Sequence, residues 1–273
     1  NDTPSVTTTT PSAIAEITDD SHAQDIAATT GTLTITDQDL GDTLTLTVSN
    51  DATAKYNGGT VPTDDSTVSV ATLVAKSAIS FAPPVTTNGE SQDVVWTYNP
   101  AAADLDWLRA GENLVLTFVA TISDNNTGST TQDLVITITG TNDVPSVTTT
   151  TPSALTEIIG NSSAQDIGAT TGTLTVTDQD LGDTLSFTVS NNATALYNGI
   201  AVPTEDSVSV ATLVAKSAIS FATPVKTNGE SQNVEWTYNP AVADLDWLRA
   251  GENLVLTFVA TISDDKGGST TQD

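Results

Sequence analysis

The sequence predicts an all-β protein made of two tandem antiparallel sandwiches, and three observations carry the prediction. The 273 residues align with themselves: 1–66 match 142–207 without a gap, and 68–133 match 208–273, with Thr67 the single extra residue. Within each copy, apolar and hydroxyl-bearing residues alternate with period two, the pattern of a half-buried strand. Clusters of Gly, Asn and Asp separate the alternating runs, as turns between strands do. About four in five aligned positions are identical, so the period near 140 defines two repeats, 1–141 and 142–273.

The strands follow in order along one copy. Gly31-Thr32-Leu33-Thr34-Ile35-Thr36 alternates, as do residues 43–48, 114–122 and 134–139. In 94–98 the same alternation places Trp96 and Tyr98 on one face. Turn clusters lie at 39–42, 56–59, 87–90 and 124–128. Two short helices are expected, one over 68–77, which has no Gly or Pro, and one over 101–109, between Pro100 and Gly111. Trp96, Trp107, Phe81 and Phe118 are assigned to the core rather than to a ligand platform. The second copy stops at Asp273, the equivalent of Asp133. It is therefore expected to lack its last strand and to carry an unprotected edge. The opening on Asn1-Asp2, in mid-pattern, reads as a piece of a longer array.

Charge narrows the function classes. There are 34 acidic residues against 7 basic ones, a net charge of −27. Such a surface repels nucleic acid and anionic membranes and favours cations. Cys and Met are absent, which removes disulfides and cysteine-based zinc or redox chemistry. No apolar run approaches the roughly 18 residues of a membrane span, so no membrane insertion is expected. Catalysis is not expected either. The sole histidine, His22, becomes Ser163 in the second copy, and no nucleotide-binding glycine loop is present.

The acidic residues recur in defined places. Asp37-Gln38-Asp39-Leu40-Gly41-Asp42 follows a strand directly and returns as Asp178-Gln179-Asp180-Leu181-Gly182-Asp183. Alternate carboxylates in a glycine-bearing loop suit a hard cation such as calcium, and they equally suit a solvated Asp-Gly turn; the loop alone leaves both open. It lacks the twelve-residue spacing and closing Glu of an EF-hand. Residues 123–128 and 263–268 form a second acidic turn. There Asn126 is replaced by Lys266, so that position is read as facing solvent, leaving Asp124 and Asp264 as candidates. Glu16 and Glu157 open each copy, and Asp106 and Glu112, with Asp246 and Glu252, flank the second expected helix.

Taken together, these pieces carry a family resemblance. The run from Asp124 through Leu134-Val135-Ile136-Thr137-Ile138-Thr139 to Gly140-Thr141-Asn142-Asp143-Val144-Pro145 resembles the last strand and linker of cadherin-like domains. It is more similar still to the VCBS-type repeats of large bacterial RTX adhesins, as are Val95-Trp96-Thr97-Tyr98 and Arg109-Ala110-Gly111-Glu112. Residues 51–90 depart from the pattern by their length. The resemblance implies cadherin-like (Ig-like) sandwiches with calcium at the junction between successive repeats. Copy one would contribute Glu16 with Asp106 or Glu112, the linker Asn142 and Asp143, and copy two Asp178, Asp180, Asp183 and Asp264. Asn1, Asp2, Asp37, Asp39, Asp42 and Asp124 would be half of a preceding site, and Glu157, Asp246 and Glu252 half of a following one. The partners implied are neighbouring repeats of the same chain, in an elongated, monomeric, secreted rod on a bacterial surface. A carbohydrate- or surface-binding module is the alternative, with ice binding by the Thr-x-Thr strings its weakest form.

Overall fold

The computed structural model describes residues 1–18, 25–62, 66–160, 165–204, 210–222 and 224–273, with backbone alone at 66–69. The comparison of His22 with Ser163 lies outside the described residues, as do residues 205–209, where the second copy of the first helix was expected to begin. The chain divides into two compact units, Asn1–Asn142 and Asp143–Asp273.

Unit 1 runs β1 (Ser5–Thr9), β2 (Ile14–Ala15), β3 (Thr29–Thr36), β4 (Thr43–Val48), β5 (Thr53–Tyr56), α1 (Ser66–Val74), β6 (Ile79–Phe81), β7 (Val85–Thr86), β8 (Gln92–Tyr98), β9 (Asn113–Ser123) and β10 (Ser129–Thr139). One sheet has the order β1-β3-β8-β6; the other is β2-β10-β9-β4-β7, with β5 also on β9. The period-two pattern explains the two layers. Leu114, Leu116, Phe118, Ala120 and Ile122 alternate along β9 and are buried, facing a layer that includes Leu33, Ile35, Val94, Trp96 and Tyr98. Tyr98 and Phe118 meet between the sheets, with ring centroids 5.9 Å apart, and the Tyr98 hydroxyl donates to Leu73 O at 3.2 Å. Gly31 pairs with Trp96 in register, and a Cβ there would overlap the indole ring. Glycine at that position is what lets a fully buried Trp lie across the neighbouring strand.

The first expected helix is present with a different end. α1 stops at Val74, whose carbonyl is taken by Ala52 N–H at 2.7 Å. Ala75 then turns extended, and a short 3-10 turn, Lys76–Ala78, follows. The second expected helix does not form. In 101–109 the backbone donors are drawn elsewhere: Leu105 N–H donates to the Asp25 carboxylate and Asp106 N–H to Asp104 Oδ1 at 3.3 Å. Asp25 N–H in turn takes Ala103 O at 3.1 Å. Aspartate side chains compete with the helical ladder, and here they prevail. Trp107 and Leu108 nonetheless reach the core.

Unit 2 repeats the plan with β11 (Ser146–Thr149), β12 (Thr170–Thr177), β13 (Thr184–Val189), β14 (Thr194–Tyr197), β15 (Ile200–Ala201), β16 (Ile219–Phe221), β17 (Val225–Lys226), β18 (Gln232–Tyr238), β19 (Leu254–Thr257), β20 (Ala260–Ser263) and β21 (Ser269–Gln272). Its sheets are β11-β12-β18-β16, β17-β13-β20-β21 and β15-β14-β19. Its β21 is the counterpart of Ser129–Gln132, the first residues of β10, and pairs with β20 from Ala260 to Ser263. The counterpart of the continuous β9 is two strands in unit 2, β19 and β20. Leu254, Leu256 and Phe258 are only partly buried, although their counterparts Leu114, Leu116 and Phe118 are fully buried.

Gly140 closes unit 1. Its N–H donates to Glu112 O at 3.1 Å, and a Cβ on it would run into the backbone carbonyls of Leu108 and Arg109. Backbone cannot yield as a side-chain tip can. Gly140→Ala is expected to lower unit 1 stability by about 1–3 kcal/mol, the usual cost of overpacking, read as a shift of its denaturant midpoint. An unshifted midpoint would remove the steric account.

Candidate metal centres

Each unit gathers carboxylates at both ends of its long central strand. In unit 1, Asp25 lies before β3 and Asp37 directly after it. Eight residues at about 3.3 Å each separate the two groups by roughly 26 Å, so they are independent.

The first group is built by the loop after β3. Asp39 N–H donates to Asp37 Oδ1 at 2.9 Å, and Gly41, at φ +89, makes the reversal. Thr87, which sequence reasoning did not single out, holds the loop shut. Its buried hydroxyl accepts Asp42 N–H at 2.9 Å and donates to Asp39 O, while Gly41 N–H reaches Thr87 O at 3.0 Å. Asp124 joins from the turn between β9 and β10. Asp37, Asp42 and Asp124 are all buried, and each offers an oxygen within 4.8 Å of the other two. Asp124 Oδ1 accepts Asn126 N–H at 2.7 Å and Gly128 N–H at 2.8 Å, and its Oδ2 accepts the Asn1 amide at 3.1 Å. Burial pushes the Asp124 carboxyl up, but these donors outweigh it and hold the group below the ordinary range. Asp2 N–H donates to Asp39 Oδ2 at 2.6 Å, leaving Asn1 and Asp2 exposed at the rim. Position 126 faces solvent, as expected, and also touches the group. Asn126 is exposed, but its side-chain amide reaches back to Asp42 Oδ1 at 2.8 Å.

Unit 2 builds the same group from Asp143, Asp178, Asp180, Asp183 and Asp264, all buried, with Asp180 and Asp183 wholly so. Asp143 N–H donates to Asp180 Oδ2 at 2.9 Å, and Asp180 N–H to Asp178 Oδ1 at 3.1 Å. Asp264 Oδ1 accepts three amides, from Lys266, Gly267 and Gly268, at 2.8, 2.6 and 2.8 Å. Thr227 closes this loop: its hydroxyl donates to Asp180 O, its N–H to Asp183 O at 2.9 Å, and its carbonyl accepts Gly182 N–H at 2.8 Å. The electrostatics are adverse. Burial, reinforced by the charges of Asp183, Asp264 and Asp143, pushes the Asp178 carboxyl up to about 7. Burial and the charges of Asp143, Asp183 and Asp178 push Asp180 up to about 8, against the opposing Asp143 N–H.

The second group lies at the opposite end. In unit 1, Glu16 follows β2; its N–H donates to Thr139 O at 3.0 Å and its Oε2 accepts Thr141 N–H at 3.0 Å. Glu16 and Asp106 place oxygens within 4.8 Å of each other, and Asp106 does the same with Asp25 and Asp104. In unit 2 the corresponding set is Glu157, Asp166 and Asp246. Asp25 and Asp166 are fully buried and were missed. The available signal was that Gln-Asp-Ile recurs at 24–26 and 165–167 inside a stretch that otherwise varies between copies. Glu112 is not brought to this group. It is half-buried and accepts Arg109 N–H at 3.1 Å, closing the turn over Gly111, which has φ +84. Glu252 does the same with Arg249 N–H at 2.9 Å, and the Tyr197 hydroxyl together with that amide holds its carboxyl below the usual range. Asn142 is half-buried beside Asp143 in the chain.

These donor sets fit a hard cation. Every candidate donor is oxygen, as calcium and magnesium require. Buried Asp37 Oδ2, Asp42 Oδ2, Asp178 Oδ2, Asp180 Oδ1 and Asp166 Oδ1 find no hydrogen-bond donor among the described residues. Buried polar atoms are ordinarily satisfied, so oxygens left bare beside further carboxylates have the character of ligands. Two charges at 4.8 Å repel by about 3 kcal/mol at an effective dielectric near 20; a divalent cation would convert that repulsion into attraction.

No family model matches the sequence, and no curated protein matches it. Among solved structures the chain is similar to protocadherin gamma B2 extracellular cadherin domains 3–6, at 12% identity and TM-score 0.40, over 98% of this chain and 45% of that one. It is similar also to the protocadherin gammaB7 EC3–6 cis-dimer structure, at 14% identity and TM-score 0.34, over 99% and 46%. The Yersinia pseudotuberculosis adhesin InvE is similar at 10% identity and TM-score 0.26, over 95% and 57%. The chain spans about half the length of these structures. Among the described residues no helix is long and apolar enough to cross a membrane.

Proposed function

We propose that the chain is a pair of calcium-rigidified extender repeats of a large bacterial surface adhesin, serving to project a binding region away from the cell. Calcium is the cofactor of this reading, neighbouring repeats of the same chain are the partners, and the location is extracellular. It has no catalytic role. The observation that carries the reading is the bare, buried carboxylate oxygen at both ends of the central strand in unit 2. A cation there would be held by Asp143, Asp178, Asp180, Asp183 and Asp264, with Glu16, Asp106 and Asn142 serving the joint from the preceding repeat. In unit 1, Asn1, Asp2, Asp37, Asp39, Asp42 and Asp124 would play the corresponding part for an earlier repeat, and Glu157 with Asp246 for a later one. The ion supplies charge neutralisation and fixed orientation; the protein supplies the oxygens and, through Thr87 and Thr227, the closed loops that present them. The near-identity of the copies supports the same reading, because repetition adds reach, whereas it adds little to catalysis.

The test is small-angle scattering with calcium and then with chelator. A stiff rod that becomes flexible, with faster proteolysis near Asn142, is the expected result; an unchanged profile and unchanged melting would overturn the proposal. Asp143→Ala is expected to leave each unit folded while weakening calcium affinity by at least about tenfold, or roughly 1.4 kcal/mol, in calorimetric titration. Wild-type affinity and wild-type stiffening in that variant would remove Asp143 from the site.

A further inference from the structure

In unit 1, β4 pairs with β9 on one side from Thr45 to Val48. On its other side β7 covers only Thr43 and Leu44. Asp42 O accepts Thr87 N–H at 2.8 Å on that side, so by strand alternation the main-chain groups of Leu44, Leu46 and Val48 point the same way. Those of Leu46 and Val48 meet no strand among the described residues. Pro83 and Pro84 give the reason. If β7 were extended backwards along β4 they would lie beside Leu46 and Thr45, and proline brings no N–H to a ladder. The chain crosses instead to the other sheet, where Ala82 N–H donates to Val95 O at 2.9 Å. Between β4 and β6 this leaves a groove of about 540 Å³, lined by Leu46, Val48, Ile79 and Phe81 and by the exposed Lys76. Of those four apolar residues only Leu46 differs in unit 2, where Phe187 takes its place. The Phe187 ring lies 5.8 Å from that of Phe221, the counterpart of Phe81, so the second copy fills with an aromatic ring the space that Leu46 leaves open.

We propose that this groove in unit 1 is a strand-acceptor site, and that its occupant is an extended acidic segment of a partner protein. Three requirements define that segment. It must run antiparallel to β4, as β7 and β9 do, so that its main chain meets the open groups of Leu46 and Val48. Apolar side chains must fall opposite those two residues, which are half-buried, and hydroxyl-bearing ones opposite the exposed Thr45 and Thr47. A carboxylate must precede this stretch, because Lys76 lines the groove while no acidic side chain does, in a chain with 34 acidic residues against 7 basic ones. Asp51, just past β4, is turned to the main chain, its Oδ1 accepting Lys76 N–H at 3.0 Å. At physiological salt, charges beyond about 8 Å are largely screened, so an arriving carboxylate responds to Lys76 more than to the remote acidic surface. The carboxylate groups of the calcium reading line no part of this groove, and the proposal stands independently of them.

The experiment uses the whole chain with calcium present, and the peptide acetyl-Glu-Val-Thr-Val-Thr-amide as probe. At saturating peptide, hydrogen exchange read by NMR should show the Leu46 and Val48 amides slowing by at least about tenfold, the mark of a newly paired edge. The Thr45 and Thr47 amides, directed at β9, should not change. Leu46→Phe introduces a side chain that the second unit already holds at this place, so unit 1 should keep its melting point while peptide affinity falls by at least about tenfold. A peptide with Lys in place of Glu should bind at least about threefold more weakly, and the gap should close as salt is raised. Undiminished binding to the Leu46→Phe variant, equal binding of the Lys peptide, or a probe that slows neither amide would overturn the proposal. So would Leu46 and Val48 amides that are slow without peptide and quicken on dilution, which would give the groove to a second copy of this chain.

Discussion

At pH 8 in chelator, unit 2 is expected to melt well below its melting point at pH 5, and saturating calcium is expected to reverse that order. The sign follows from Asp178 and Asp180, whose carboxyls are pushed up to about 7 and about 8 from an ordinary 3.8. Below the ordinary value both are neutral, folded or unfolded, and cost nothing. As pH rises from there, the unfolded chain gives up its protons first, so the folded state holds more of them and stability falls. The loss is complete once both groups are charged, above about 8. Calcium bound as proposed would invert the dependence, because it would take the charged form and compete with protons, so its affinity should rise across the same interval. Differential scanning calorimetry at the two pH values, with and without calcium, reads all of this. Asp180→Asn sharpens the test by making one of the two raised groups permanently neutral. In chelator at pH 8 it should melt higher than the parent, and it should bind calcium at least about tenfold more weakly, roughly 1.4 kcal/mol. A residue that only packed would lower the melting point in both conditions. A flat pH profile in chelator would remove the account.

Phe118→Ala is expected to destabilise unit 1 by about 3–5 kcal/mol, and Phe258→Ala to cost unit 2 less than half as much. The two phenylalanines sit in identical eleven-residue sequences, so the difference isolates surroundings from chemistry. Phe118 is fully buried, opposite Leu134 in register and against Tyr98. Phe258 keeps its aromatic partner, Tyr238, at 5.7 Å, but among the described residues it is only partly buried, and truncation there removes fewer contacts. Urea melts that resolve the two units would check the ratio. Equal costs would mean that the burial difference between the copies does not persist in solution.

The layered fold was legible because alternation is a local signal: Thr-Leu-Thr-Ile in 32–35 announces its buried face without reference to any other strand. The loops at 37–42 and 178–183 were legible for the same reason, with Gly41 and Gly182 marking the reversals. What escaped was non-local. Asp25 and Asp166 look like ordinary loop aspartates until the chain brings 103–106 and 243–246 onto them. Thr87 and Thr227 lie more than forty residues from the loops they close. The helix expected over 101–109 failed for a related reason: its composition allowed a helix, and only the arrival of Asp25 at Leu105 showed that its amides were already committed. Glu112, at a plausible distance from a site in sequence, proved to belong to its own turn.

The arrangement of the first and last strands in unit 1 carries a consequence for a protein held under tension. β1 starts beside Thr36 and points away from it, whereas β10 ends at the opposite pole, beside Asn113. A pull on the two termini therefore drags β1 lengthwise past β3, and β10 lengthwise past β9. Every rung of each ladder then resists at once, instead of opening one after another from an end. The shorter ladder has five register pairs and the longer has eleven, so β1 is where rupture should begin. A unit that yields at its entering strand keeps its closing strand, and with it most of its core, ready to re-form when the force is released.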